Sequence, residues 1–81
     1  MSSRLAVALG RAVRAERARA GLSQEELGTL LGWSRRTVAN IEAADRGVTI
    51  DELPALCAAL GVPLARLLAD AHPDDLRRLG L

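Results

Sequence analysis

Apolar positions along the chain recur every three or four residues and are interrupted at glycines, a pattern that predicts a series of short helices. A first helix is expected from about Ser3 to Ala20, because a serine can cap its start and Gly21 suits the left-handed position that ends a helix. Its inner face is formed by residues spaced by three, four or their multiples: Leu5, Leu9, Val13 and Ala20.

The second and third helices lie on either side of Gly32. The letters SQEE predict a capping box between Ser23 and Glu26 at the start of the second helix. Its apolar face is Leu27, Leu30 and Leu31. The third helix resumes within three residues of Gly32, at position 34 or 35, and runs to about Ala43.

The remainder of the chain predicts a loop followed by two or three more helices. The fourth ends at Gly61, but its start is open: Thr49 with Glu52 is a second capping box, whereas a start at Asp51 places Pro54 in the permissive first turn. PLARLLAD predicts a fifth helix, and HPDDLRRLGL predicts a short sixth helix or a frayed tail. No segment alternates like a strand, so we expect an all-α fold of five or six helices.

The short connection at Gly32 predicts a steep angle between the second and third helices. Gly28 lies one turn earlier, and a glycine inside a helix suits close crossing of the two. The core would then take the apolar side chains Leu27, Leu31, Trp33, Val38 and Ile41. The other side of the third helix is left with Arg35, Arg36, Thr37 and Asn40. Because Arg and Asn pair bidentately with guanine and adenine edges, this side is a candidate reader of a major groove.

Composition limits the alternatives. The 81 residues suit one small domain, and no apolar run approaches the roughly 20 residues that span a bilayer. The single cysteine, Cys57, excludes an internal disulfide and favours a reducing, cytoplasmic location. A lone His72 makes a metal site improbable, and the sequence indicates no cofactor or small-molecule ligand.

The charge is distributed unevenly. Residues 1–46 carry eight arginines and five acids, or +3, whereas residues 47–81 carry three arginines and five acids, or −2. All of the basic side chains are arginines, which pair with phosphate bidentately. The N-terminal part is therefore the one suited to an anionic partner such as DNA.

The segment LSQEELGTLLGWSRRTVANIEAA resembles the helix-turn-helix of the phage Cro/repressor family, the XRE-type regulators. The resemblance extends from about Leu9 to Leu68 and implies a lambda-repressor-like domain over residues 1–69, with residues 70–81 as a tail or short helix able to contact a dimer partner. Carried over by position, it implies DNA contacts from Gln24, Ser34, Arg35, Arg36, Thr37, Asn40 and Arg46. It also implies a structural ion pair between Arg17 and Glu42.

The sequence departs from the family in the loop after Glu42. That loop is commonly NGKR-like, whereas here it is Ala43-Ala44-Asp45-Arg46, so only Arg46 keeps a cation. The clamp on the DNA backbone is expected to be weaker or to use loop amides.

The favoured function is a sequence-specific transcriptional regulator with double-stranded DNA as its partner, acting as a homodimer on a two-fold operator. Dimer contacts are expected from the fifth helix and the C-terminal leucines Leu67, Leu68, Leu76, Leu79 and Leu81. The alternative is a protein-interaction or antitoxin-like module on the same fold with weak DNA binding. An enzyme is disfavoured, because no nucleophile and base could converge and there is no glycine-rich phosphate loop.

Overall fold

The computed structural model describes residues 2–81 and contains no strand within them. Six α-helices and one 3-10 turn, Ile50–Glu52, make up the described part of the fold. The helices are α1 Arg4–Arg19, α2 Gln24–Leu31, α3 Arg35–Glu42, α4 Leu53–Leu60, α5 Leu64–Leu67 and α6 Pro73–Arg78. The all-α prediction is confirmed, and the C-terminal segment forms a helix and not a frayed tail.

The helix boundaries follow the capping residues. The Ser3 hydroxyl accepts a hydrogen bond from the Ala6 amide at 3.0 Å and caps α1. At the start of α2 the Ser23 hydroxyl and the Glu26 carboxylate each accept from the other residue's amide, at 3.0 and 2.9 Å. This is the predicted capping box, and it satisfies amides that have no partner within the helix.

The open question at the fourth helix is resolved by a change of helix type. The Glu52 carboxylate accepts from the Thr49 amide at 2.9 Å, so this box caps the 3-10 turn. The α-helix begins only at Leu53, which leaves Pro54 in its first turn. Proline is tolerated there because its missing amide would have had no partner in the helix.

The core is built from α1, α2, α3, α4 and α5. Its fully covered members are Val13, Leu27, Val38, Ile41, Leu56, Leu60 and Leu67. Two predicted inward residues are exposed: Ala20 lies beyond the end of α1, and Leu30 is 61 % exposed because it turns away from Leu27 around the helix. Those two predictions were wrong: Ala20 because α1 ends before it, and Leu30 because the inward stripe of α2 is narrower than its apolar run.

Two glycines allow α3 to approach its neighbours. A Cβ on Gly28 would lie 2.6 Å from the Trp33 carbonyl oxygen. The backbone of α2 therefore packs directly against the backbone of the turn. A Cβ on Gly10 would lie 2.4 Å from the carbonyl oxygen of Ile41. The close approach predicted at Gly28 is confirmed, but its partner is the turn at Trp33 and Ser34; Gly10 provides a second close approach, between α1 and the C-terminal end of α3.

The C-terminal segment is fastened to α1. The Arg4 guanidinium donates to both oxygens of Asp75, at 2.9 and 3.2 Å, and this pairing lowers the pKa of the Asp75 carboxyl. Leu67 is 1 % exposed and belongs to the core, and Leu68 is 8 % exposed. These two leucines, predicted as dimer contacts, instead pack inside their own chain because α5 turns its inner face toward α1.

Candidate nucleic-acid interface

The N-terminal end of α3 is presented on the surface by the turn that precedes it. Gly32 ends α2 with φ +70°, the left-handed conformation that glycine adopts most readily. Ser34 then caps α3: its hydroxyl accepts from the Thr37 amide at 3.2 Å and lies 3.1 Å from the Thr37 hydroxyl. The Ser34 and Thr37 hydroxyls are therefore within hydrogen-bond distance of each other, and both lie at the N-terminal end of α3.

Arg35 and Arg36 are the exposed cations of this end. Both side chains are exposed, and within residues 2–81 neither has a carboxylate within 4.0 Å. Asn40 lies one turn beyond Arg36 and is half-buried. Its side chain makes no hydrogen bond with another described residue, whereas its carbonyl accepts from the Asp45 and Arg46 amides at 2.8 and 3.2 Å. Base edges or phosphates could therefore be bound here without breaking an internal ion pair.

The C-terminal end of α3 is anchored to the interior through Glu42. Arg17 donates from Nε to one Glu42 oxygen at 2.6 Å and from Nη2 to the other at 3.0 Å. The same guanidinium donates to the Leu22 carbonyl at 2.9 Å, and the pairing raises the pKa of Arg17. Only 15 % of the Arg17 side chain and 4 % of the Glu42 side chain are exposed.

Gln24 joins this network from the start of α2. Its side-chain amide nitrogen donates to Glu42 at 3.1 Å, so the side chain lies across the gap between α2 and α3. In this position Gln24 links the start of α2 to the C-terminal end of α3. The amide orientation leaves the Gln24 carbonyl oxygen without a partner among the described side chains.

A shallow polar cleft gathers residues from three helices beside this network. It is lined by Arg14, Arg17, Ser23, Gln24, Glu25 and Arg35. Arg14 is exposed and, within the described chain, has no carboxylate within 4.0 Å. Arg14 is not among the predicted DNA contacts, because helical spacing does not show which arginine of α1 faces α3.

Arg46 is placed differently from the other predicted DNA contacts. Its guanidinium donates to Glu52 at 2.6 and 3.2 Å and to the Gly47 carbonyl at 2.9 Å. It also lies 5.5 Å from the centre of the Trp33 ring. Trp33 is half-buried and packs against the core, so its ring shields the turn from solvent. The loop cation is thus already neutralised by its own chain.

The chain belongs to the helix-turn-helix domain family, whose model matches residues 8–70. The resemblance to Cro/repressor-type regulators inferred from the sequence is confirmed. Among curated proteins no sequence matches. Solved structures do match: the restriction-modification controller protein C.AhdI from Aeromonas hydrophila is 34 % identical, covers 76 % of this chain and 94 % of its own, and has a TM-score of 0.72.

Two further structures are similar over most of the chain. The clp gene regulator ClgR from C. glutamicum is 32 % identical over 80 % of this chain and 84 % of its own, with a TM-score of 0.76. The hypothetical transcription factor NHTF from Neisseria is 31 % identical over 93 % and 84 %, with a TM-score of 0.74. This chain is thus a helix-turn-helix DNA-binding regulator, and its fold and family are those of regulators and not of enzymes.

None of the described helices combines the length and apolarity needed to cross a bilayer. The described His, Cys, Asp and Glu side chains form no cluster of three suited to a metal ion.

Proposed function

We propose that the protein is a sequence-specific transcriptional regulator that inserts α3 into the major groove of DNA. The observation that carries this proposal is the pair Arg35 and Arg36, exposed and without a carboxylate partner within residues 2–81, on a helix whose opposite end is fixed by Glu42. A rigidly held helix with unpaired guanidiniums on its outer face can form bidentate contacts with guanine. The regulatory functions named for C.AhdI and ClgR support the same class of activity.

The proposed interface divides into base contacts and phosphate contacts. Arg35, Arg36 and Asn40 face bases, with Thr37 and the Ser34 hydroxyl at the edge of the groove. Gln24 and the cleft beside it take a backbone phosphate, where Arg14 adds a cation that the sequence did not single out. Phosphate contacts fix the position of α3, and contacts to base edges provide the specificity.

The decisive measurement is DNA affinity as a function of salt, on a duplex obtained by in vitro selection and on random duplex. Each neutralised phosphate adds about 0.9 to the slope of log K against log salt. We expect a steep slope and clear preference for the selected duplex. An affinity that does not change with salt, or that is the same for both duplexes, would contradict the proposal.

Arg36 tests the assignment of base contacts. Replacing Arg36 with alanine should cost about 1–3 kcal/mol on the selected duplex and relax one base position. Arg78→Ala, which removes the same charge from α6, is the matched control and should change affinity little. Uniform weakening on every sequence would instead assign Arg36 to a phosphate.

We further propose a homodimer on a two-fold site with half-sites about one helical turn, roughly 34 Å, apart. The surface that suits the dimer is an apolar groove whose exposed rim includes Ile50, Leu64, Leu79 and Leu81. Ile50 is 80 % exposed, so Ile50→Ser should weaken self-association in sedimentation equilibrium without unfolding the domain. Leu30→Ser, an exposed leucine on α2 outside the groove, is the control; equal effects of both variants would exclude the groove as the interface.

The second candidate is a protein-interaction or antitoxin-like module with weak DNA binding. The neutralised Arg46 favours it, because the loop then offers no unpaired cation to phosphate. This candidate predicts a shallow salt slope and the same self-association, so the salt dependence of DNA affinity is the measurement that distinguishes the two functions.

A further inference from the structure

The loop after α3 keeps one cation, and that cation is held by a carboxylate of the same chain. Glu52 accepts two hydrogen bonds from the Arg46 guanidinium, and the Gly47 carbonyl accepts a third. Three of the five N–H groups of the Arg46 guanidinium are therefore engaged. The side chain of Glu52 is only 20 % exposed and is fixed further by its bond to the Thr49 amide. The pair is therefore bidentate, with both Glu52 carboxylate oxygens accepting from the Arg46 guanidinium.

The position of the pair makes it relevant to DNA. Trp33 immediately precedes Ser34 and the start of α3, yet its ring lies beneath the guanidinium of a residue beyond the end of α3. The Arg46 side chain therefore reaches back toward the turn that precedes α3. A major groove is about 12 Å wide, so phosphates flank a helix placed in it on both sides. A cation in the loop that directly follows α3 would then be near such a phosphate, which is the contact that the family resemblance implies for Arg46.

We propose that Glu52 is an attenuator of DNA affinity: by pairing with Arg46 it withholds the loop cation from the DNA backbone. This inference rests on the proposed DNA-binding function and adds a positioning residue that contacts no base. Removing the carboxylate releases the guanidinium to a phosphate, whereas removing both members of the pair leaves the affinity as it was. Glu52 thereby offsets part of the attraction that Arg35 and Arg36 supply.

The test compares four proteins on one selected duplex from 0.1 to 1 M salt. Glu52→Gln keeps an oxygen that can accept from the Thr49 amide and releases Arg46. One additional phosphate contact adds about 0.9 to the salt slope, which corresponds to about eightfold tighter binding at 0.1 M relative to 1 M salt. Asp51→Asn is the matched control, because it removes one negative charge from the neighbouring exposed position, which has no basic side chain within 4.0 Å in the described chain.

The double variant Arg46→Gln/Glu52→Gln separates the possible outcomes, since it removes the pair without changing net charge. The proposal expects wild-type affinity from the double variant, a steeper slope only for Glu52→Gln, and a small, nonspecific change for Asp51→Asn. A double variant that binds more weakly than wild type would show that Arg46 already contacts DNA and would overturn the proposal. Equal gains from Asp51→Asn and Glu52→Gln would overturn it as well, because only bulk charge would then matter.

The affinity measurements distinguish loss of the attenuating role from loss of DNA binding itself. If wild-type protein shows no salt-dependent affinity for the selected duplex, DNA binding itself is rejected. If wild type binds and Glu52→Gln does not strengthen binding, only the attenuating role is rejected. A thermal melt of each variant, with the two-state transition retained, excludes unfolding as the cause of either result.

Discussion

The two ends of α3 are held in different ways. At its N-terminal end the helix is capped by Ser34, and its arginines have no carboxylate within 4.0 Å among the described residues. At its C-terminal end Glu42 is paired with Arg17, and in the loop after it Arg46 is paired with Glu52. The two ends of this eight-residue helix therefore differ within the described chain: one end carries unpaired cations, and the other is fixed so that the first has a defined direction.

Removing the ion pair at the C-terminal end of α3 should have the largest effect on stability. Glu42→Ala leaves the Arg17 guanidinium and the Gln24 amide without their common acceptor in a largely covered site. Loss of one partner of a buried ion pair costs about 3–5 kcal/mol, and the 15 % exposure of Arg17 places this pair near the lower figure. Thermal denaturation should show the melting temperature falling by more than 10 °C, about 4–8 °C for each kcal/mol.

Arg36→Ala is the control for that prediction, because it alters the free end alone. Its melting temperature should stay within the small range of ordinary surface substitutions, about ±0.5 kcal/mol. Similar destabilisation by both variants would contradict the division between the two ends.

The close approach at Gly10 provides the next largest effect. A methyl group at this position meets the Ile41 carbonyl oxygen at 2.4 Å, and a backbone atom there cannot move aside as a flexible side chain would. Gly10→Ala should therefore displace the C-terminal end of α3 from α1 and cost about 1–3 kcal/mol by overpacking. Urea denaturation measures the loss.

Gly47→Ala is the matched control for Gly10→Ala, since a Cβ at Gly47 has no atom within 4 Å. Its free energy of unfolding should be unchanged or slightly higher, because alanine restricts the unfolded chain. If Gly10→Ala is equally harmless, α3 is not seated by that contact.

The N-terminal end of α3 is ordered by its N-cap residue, Ser34. Ser34→Ala removes the acceptor for the Thr37 amide and should cost about 1 kcal/mol, the usual value for a lost N-cap. Because the cap orders the first turn that carries Arg35 and Arg36, DNA affinity should fall along with stability. Ser34→Asp restores an acceptor and should recover the melting temperature while weakening DNA binding, since it places a carboxylate next to phosphates.

The sequence could predict the helices and the turn because these depend on local chemistry. Ser23 with Glu26 and the left-handed Gly32 are determined by neighbours within four residues, and both lie where the spacing placed them. The partners of the arginines are a different problem. Arg46 and Glu52 are six residues apart and belong to a loop and a 3-10 turn, so no helical periodicity aligns them. Arg4 and Asp75 are separated by 71 residues, and only the packed fold brings them together.

The same limit explains the candidate site. Arg35 and Arg36 could be assigned to the outer face from the apolar spacing of Val38 and Ile41 on the same helix. Arg14 could not, because its relation to α3 depends on how α1 crosses it at Gly10.

The smallest expected effect concerns the acid stability of the pair beyond α3. Hydrogen bonds from Arg46 and the Thr49 amide lower the pKa of Glu52 from 4.5 to about 2. Because the folded-state pKa lies below the unfolded one, the stabilisation is fully present above about pH 4.5 and is lost as the pH falls toward 2. The pair is partly exposed, so the contribution is at most about 1 kcal/mol. Melting temperatures of wild type and Glu52→Gln from pH 2 to 7 should differ above pH 4.5 and converge near pH 2. Melting curves of the two proteins that stay parallel over the whole pH range would mean that Glu52 has the same pKa in the folded and unfolded states. The Arg46–Glu52 pair on which the attenuating role depends would then be absent in solution.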